Sequence, residues 1–194
     1  MEIARPQSKQ PMPPQAQKVF KGKIFDVYQW EQDAYDGTKH TFEKIKRLDT
    51  AVVIPVLPNG NIIVSKQEQP LRAPFHGFLG GRIEEGEDPF LAAQRELLEE
   101  SGYESKDWSL FSAVQPVSKI DWAIYTFIAR GAIKTHEPEL DGGEKVDLLE
   151  VTFDEFIEMC ATGKLNEPEL EIAALRAKLD PHKMQELKNK ILNH

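Results

Sequence analysis

Apolar and polar positions sort the chain into strands first, one central helix, more strands, and helices at the end. Residues 20–31 carry Ile24, Phe25, Val27, Tyr28 and Trp30, and this β-branched and aromatic spacing predicts a strand. Asp36-Gly37 is a turn signal, and 41–48 predicts the returning strand. The apolar run 51–57 predicts a short strand. Pro58-Asn59-Gly60 punctuates it, and 61–66 continues beyond as the second arm of a hairpin. Residues 75–81 change texture, being rich in glycine and aromatics. Asp88 followed by Pro89 reads as an N-cap with proline at the first helical position. Residues 90–101 then have helical spacing, and Gly102 is placed to end the helix. Strands are predicted over 108–114, 122–129 and 146–151. A helix over 153–162 stops at Gly163, and another opens at Asn166-Glu167-Pro168 and runs to 179. Pro181 breaks it, and 182–192 forms a last amphipathic helix with Met184, Leu187 and Ile191 on one side.

This order predicts an α+β sandwich. Pro6, Pro11, Pro13 and Pro14 stand among polar residues, so 1–18 reads as a flexible, Pro-rich extended arm. A strand hairpin over 19–48 follows, then the main domain over 49–180 and a C-terminal helix over 181–194.

Composition narrows the function. The chain has 194 residues, with 24 Lys+Arg against 32 Asp+Glu and a net charge of -8. Such an acidic chain has no whole-molecule attraction for nucleic acid or an anionic membrane. Cys160 is the single cysteine, which excludes an intramolecular disulfide and a thiolate zinc cluster. It reads as a buried small hydrophobe. The N-terminus lacks the apolar core of a signal peptide, and the longest apolar run is far short of the roughly 20 residues of a membrane helix. The expectation is a soluble cytoplasmic protein. An anionic substrate would need its charge neutralised locally, which a divalent metal can do.

Residues 81–103, GRIEEGEDPFLAAQRELLEESGY, carry the chemistry. Glu96 and Glu100 lie one helical turn apart, with Glu99 one step to the side. Three carboxylates on one flank repel one another by a few tenths of a kcal/mol per pair, so stability alone does not favour the pattern. A hard, oxygen-seeking cation such as Mg2+ or Mn2+ reverses the sign. Gly80 and Gly81 let the backbone approach closely. Arg95 is placed to pair with Glu87 or another carboxylate and orient the ligands. The alternative is a solvated acidic helix face, with Leu91, Leu97 and Leu98 in the core.

The spacing Gly81, Glu87, Arg95-Glu96, Glu99-Glu100, Gly102 resembles the Nudix box, with Tyr103 at its last, usually aliphatic, site. Seven such identities in register arise by chance about once in 10^8 starting points, at roughly 5–10% per position. The resemblance implies a Nudix-type α/β/α sandwich with a mixed sheet, preceded by an N-terminal antiparallel hairpin, and makes 49–180 a Nudix hydrolase domain. It implies hydrolysis of a nucleoside diphosphate linked to another moiety. The metal ligands it implies are Glu96, Glu100, the neighbouring Glu99 and the Gly80 carbonyl, with Glu87 behind them. Arg95 and Glu99 belong to the catalytic set.

The hairpin, the stretch Val64–Gln69, Pro116 after the box, the acidic loop 137–144 and the closing helices resemble the ADP-ribose and nucleotide-sugar pyrophosphatase branch. That branch implies a homodimer with exchanged hairpins. Gln69 stands where the branch carries an arginine, and Gly77 where it carries a glutamate. The expected reaction is therefore hydrolysis of an ADP-ribose-like nucleoside diphosphate sugar to a nucleoside monophosphate and a sugar phosphate. A nucleoside triphosphate or dinucleoside polyphosphate is the alternative substrate, and a non-catalytic nucleotide-sensing module the alternative class. Glu144 is the first choice of general base, ahead of Asp141 and Glu139. Phe25, Tyr28 and Trp30 are candidates to stack on a base, or are core residues. Arg72 and Arg82 are candidate phosphate contacts, and His76 a further substrate contact.

Overall fold

The computed structural model describes residues 3–140, 145–165 and 167–193. In chain order the strands before the central helix are β1 (Gln17–Lys21), β2 (Asp26–Asp33), β3 (Lys39–Lys46), β4 (Thr50–Val56), β5 (Ile62–Gln69), β6 (Arg72–Gly77) and β7 (Leu79–Arg82). Helix α1 (Pro89–Ser101) follows. Then come β8 (Tyr103–Glu104), β9 (Asp107–Val114), β10 (Ile120–Asp121), β11 (Ile124–Arg130), β12 (Ile133–Lys134) and β13 (Lys145–Val151). Helices α2 (Phe153–Ala161), α3 (Pro168–Leu179) and α4 (Pro181–Leu192) close the chain.

The central sheet runs β13-β5-β4-β11-β9, and it is mixed: β11 lies parallel to β4 and antiparallel to β9. Strand β4 is buried on both faces, which is why its sequence is an unbroken apolar run rather than an alternation. Ala51 and Val53 point to one side with Leu79 and Phe127, where Ala92, Ala93 and Leu97 of α1 cover them. Val52, Ile54 and Val56 point to the other, against Phe156, Leu170 and Ile191 of α2, α3 and α4. The two cores make the predicted α/β/α sandwich.

Two predicted segments are corrected. The single strand over 20–31 is two, because Gly22 N–H donates to Phe25 O at 2.9 Å and turns the chain. Strand β1 therefore pairs antiparallel with β2 and begins at Gln17, in a separate sheet of order β1-β2-β3-β10. The hairpin across Asn59-Gly60 is joined only at Val56↔Ile62. Beyond that pair the strands part, β7 lying along β4 and β6 along β5. The Gly-rich stretch 75–81, which gave no strand signal, holds the end of β6 and most of β7.

The proline-rich segment lies across the junction of the sheets. Arg5 forks onto Asp49 at 2.7 and 2.9 Å and also reaches Asp121 at 3.0 Å. The buried Lys44 ammonium donates to Ser8 Oγ at 2.8 Å and Gln10 O at 2.6 Å. No described helix is long and apolar enough to cross a membrane.

Candidate active site

Helix α1 is cut to length by its ends. The Asp88 carboxylate accepts from the backbone N–H of Phe90 at 2.9 Å and of Leu91 at 3.3 Å, with Pro89 following. Gly102 ends it at φ 71°, its N–H donating to Leu98 O. Apolar Ala92, Ala93 and Leu97 hold the helix to the sheet. Glu96, Glu99 and Glu100 consequently face a cleft of about 650 Å³. Gly80 and Gly81 of β7 form its opposite wall, and Leu48, Arg82, Glu84 and Glu139 complete it.

Arg95 organises this cleft. Its guanidinium donates to both oxygens of Glu87 at 3.0 and 3.1 Å, to Glu96 Oε1 at 2.8 Å, to Glu99 Oε2 at 3.0 Å and to Arg82 O at 3.0 Å. Glu87 in turn accepts from Glu84 N–H at 2.8 Å. The hydrogen bonds from Arg95 hold the Glu87 carboxyl below its ordinary range. Glu96 is 9% exposed. Burial pushes its carboxyl up despite Arg95, and the charges of Glu99 and Glu87 push the same way. Glu100 Oε2 accepts from Gly80 N–H at 2.8 Å.

The glycines are needed for close approach. A Cβ on Gly81 would fall 2.5 Å from Glu96 Cδ and 2.6 Å from Oε2. Gly80 has φ 146°, and a Cβ there would lie 2.9 Å from Val52 Cα and closer still to the Ala51 carbonyl.

The donor set fits a hard divalent cation, since it offers carboxylate oxygens on one flank and a glycine backbone with no side chain to obstruct it. No three acidic, His or Cys side chains converge on one point among the described residues. Arg95 and the Gly80 N–H instead hold the carboxylates one by one.

The loop after β12 docks on the C-terminal end of α1. Thr135 and His136 N–H donate to Gly102 O, and Glu139 N–H donates to Glu99 O at 2.7 Å. That brings Glu139 to the cleft. Glu144 and Asp141, the other candidate bases, lie outside the described residues.

Of the candidate substrate contacts, Arg82 lines the cleft, while Arg72 and His76 line a second hollow that meets it at Gly80. The hairpin aromatics line neither hollow. Trp30 is 7% exposed and packs on Phe42 at 5.3 Å, so within one chain its ring is core and has no face to offer a base. Tyr28 lies under Lys18 and Phe25 under Arg47.

Arg47 is a residue the sequence reading missed. Its guanidinium lies 4.6 Å from the Trp122 ring, and its buried Nε has no hydrogen-bond partner among the described residues. Burial, then Arg82, lowers its pKa. It lines a hollow that shares Leu48 and Glu84 with the carboxylate cleft. Its one sequence signal is the basic run Lys44-Ile45-Lys46-Arg47 just before β4.

The NUDIX domain model matches residues 46–175, the stretch that holds the central sheet, α1 and the cleft. The ADP-ribose pyrophosphatase of Bacillus subtilis (strain 168) is 30% identical over 146 residues, which span 74% of this chain and 79% of that protein. The methanol dehydrogenase activator of Bacillus methanolicus is 28% identical over 161 residues, 81% of this chain and 86% of that one. A crystal structure of an ADP compounds hydrolase has the same fold, with a TM-score of 0.70 at 18% identity, over 89% of this chain and 94% of the other. With the family model spanning two thirds of its length and the glutamates of the box gathered around Arg95, the chain belongs to the Nudix family.

Proposed function

We propose that this Nudix hydrolase cleaves the pyrophosphate bond of an ADP-ribose-like nucleoside diphosphate sugar, giving a nucleoside monophosphate and a sugar phosphate. The arrangement of Glu96, Glu99 and Glu100 on one wall of a single cleft, facing Gly80 and Gly81, carries the reading. The similarity to an ADP-ribose pyrophosphatase supports the substrate class.

Glu96, Glu99 and Glu100, with the Gly80 carbonyl, would hold Mg2+ or Mn2+. Bound there, such a cation would offset the diphosphate charge and acidify an attacking water. Arg95 keeps Glu96 and Glu99 oriented toward the cleft. Arg82 and Arg47 supply the positive charge at its rim. A glutamate of the loop beyond β12, Glu139 or Glu144, takes the proton of the attacking water.

Two copies of the chain would pair through the N-terminal hairpin. Val19, Phe20, Ile24 and Phe25 are 53, 59, 55 and 41% exposed there, apolar side chains that a second copy could cover. The single cysteine accords with a cytoplasmic setting.

Chromatography of products from a panel of nucleotide sugars, nucleoside triphosphates and dinucleoside polyphosphates with Mg2+ tests the reaction. Release of AMP and ribose 5-phosphate from ADP-ribose is expected. Turnover of triphosphates alone would refute the substrate class. The likeness to a methanol dehydrogenase activator favours a second reading, an accessory that alters a dehydrogenase through the same hydrolytic site. Stimulation of a dehydrogenase by wild type and not by Glu100→Gln is expected on that reading, and equal stimulation by both would refute it.

A further inference from the structure

The second hollow has a volume of about 220 Å³ and meets the carboxylate cleft at Gly80, which lines both. It is smaller than the roughly 300–1,000 Å³ of a pocket for a whole ligand, so it suits one part of a larger molecule. Gln67, Gln69 and His76 form its polar wall, and Leu165 and Glu167 its far side. The Gln67 amide donates to Ser65 Oγ at 2.9 Å and to Phe78 O at 3.1 Å, which fixes that wall.

Glu167 does not cap the helix that it precedes. It stands at the N-cap of α3, before Pro168, yet its side chain makes no capping hydrogen bond. It is half-buried, and burial alone pushes its carboxyl up to about 7. The neighbouring groups do not set that value. Cys160 on α2 is itself a neutral thiol, pushed up to about 12 chiefly by burial. On β6, Arg72 stacks on Phe75 at 3.4 Å, and His76 lies beside it.

A neutral carboxyl both donates and accepts, which matches a sugar hydroxyl. Once ionised it sets a negative charge beside an anionic diphosphate. We propose that this hollow takes the sugar of the leaving half of the substrate, and that Glu167 on its far side binds the sugar hydroxyls and favours sugar-bearing diphosphates. The inference rests on the nucleoside diphosphate sugar reading of the site. The diphosphate would lie over the box at Gly80 while the sugar enters beyond it.

Isothermal titration of the full chain in EDTA with ADP-ribose and with the β-methyl ester of ADP, whose phosphates like those of ADP-ribose keep their charge here, at about pH 6 and about pH 8, tests this apart from turnover. Wild type is expected to bind ADP-ribose about tenfold more weakly at the higher pH. Glu167→Gln, which cannot ionise, is expected to keep the low-pH affinity at both. Glu167→Asp keeps the pH dependence with weaker binding, and the methyl ester shows little dependence in any variant. Histidine also changes charge in this range, so His76→Gln is the control. The inference is overturned if Glu167→Gln retains the wild-type dependence, if His76→Gln abolishes it instead, or if the methyl ester responds as ADP-ribose does. Equal wild-type affinity for the methyl ester and ADP-ribose also overturns it. A wild type that binds as expected yet hydrolyses neither compound sinks the reaction while upholding the subsite. Normal hydrolysis with an unaltered Glu167→Gln profile sinks the subsite alone.

Discussion

The Glu96 carboxylate occupies the space where Gly81 would carry a side chain, its Cδ 2.5 Å from the site of a Cβ. Gly81→Ala must therefore displace the very group that faces the cleft, and Arg95 holds that group on its other side. The obstacle is the end of a side chain, so the fold has a way to yield. We expect kcat/KM to fall about 10–100-fold while Tm changes little. Gly80→Ala meets backbone at Ala51 and Val52 with φ 146°, and it should cost roughly 1–3 kcal/mol of stability as well. Thermal melts beside kinetics separate the two substitutions.

Arg95 spends its N–H groups on Glu87, Glu96, Glu99 and the Arg82 carbonyl. Lysine keeps the charge and loses the fork. Arg95→Lys should weaken metal binding about 10–100-fold, the usual effect of removing an orienting partner, with a parallel loss of activity. Titration with Mn2+, followed by electron paramagnetic resonance, reads the affinity directly. Unchanged affinity would mean that Arg95 does not orient the ligands.

Much of this was legible in the chain itself. The run Ala51–Leu57, the cap Asp88-Pro89 and the stop Gly102 rest on local rules, and the structure places a strand, a helix start and a helix end there. The box was legible because its chemistry lies in one helix and the glycines before it. Strands β6 and β7 were not legible: β6 returns on β5 with Pro74 and Gly77 interrupting its pattern, while β7 pairs with the more distant β4 and is half glycine, which carries no side-chain pattern. Arg47 was hidden for a similar reason. A guanidinium resting on the Trp122 ring beside a hollow is a fact about its surroundings, which local spacing does not encode.

Glu96 and Glu87 should move stability in opposite directions. Burial raises the Glu96 carboxyl, so its contribution is fully present below the ordinary glutamate range and lost as pH rises through the raised value. Arg95 lowers the Glu87 carboxyl, so its contribution is present above the ordinary range and lost as pH falls through the lowered value. In EDTA at neutral pH, Glu96→Gln should raise Tm and Glu87→Gln should lower it, by about 2–4 °C per kcal/mol. In mild acid the Glu96→Gln gain should vanish. Activity disappears in Glu96→Gln even as Tm rises, the trade-off expected of a site that keeps a charge buried.

Arg47 rests on the Trp122 ring and lines the hollow that adjoins the cleft. In the proposed reaction its guanidinium would meet the substrate before and during the chemical step alike. Arg47→Ala should therefore raise KM about 10-fold or more with a smaller change in kcat. Arg47→Lys, a point charge without the planar fork, should recover only part of the loss. A fall confined to kcat would place the arginine at the reacting atoms instead.

Arg130 ties the last helix to the sheet, and its removal should loosen that helix without touching the chemistry. It is 7% exposed at the end of β11. Its guanidinium donates to Ile191 O at 2.9 Å and to Lys190 O, the terminal carbonyls of α4, and Asp107 lies 3.5 Å away. Lys190 repeats the tie on the surface by donating to Phe111 O at 3.0 Å. Charged donors on helix-end carbonyls are worth about 1.5–3 kcal/mol each when buried. Arg130→Met fills the space with an apolar chain but leaves those carbonyls without partners, so a loss of about 2–4 kcal/mol is expected. Hydrogen exchange should then show α4 opening ahead of the rest, while KM for the substrate stays within about twofold of wild type. Global unfolding with no earlier opening of α4 would show that the helix is held by Leu187 and Ile191 in the core rather than by the arginine.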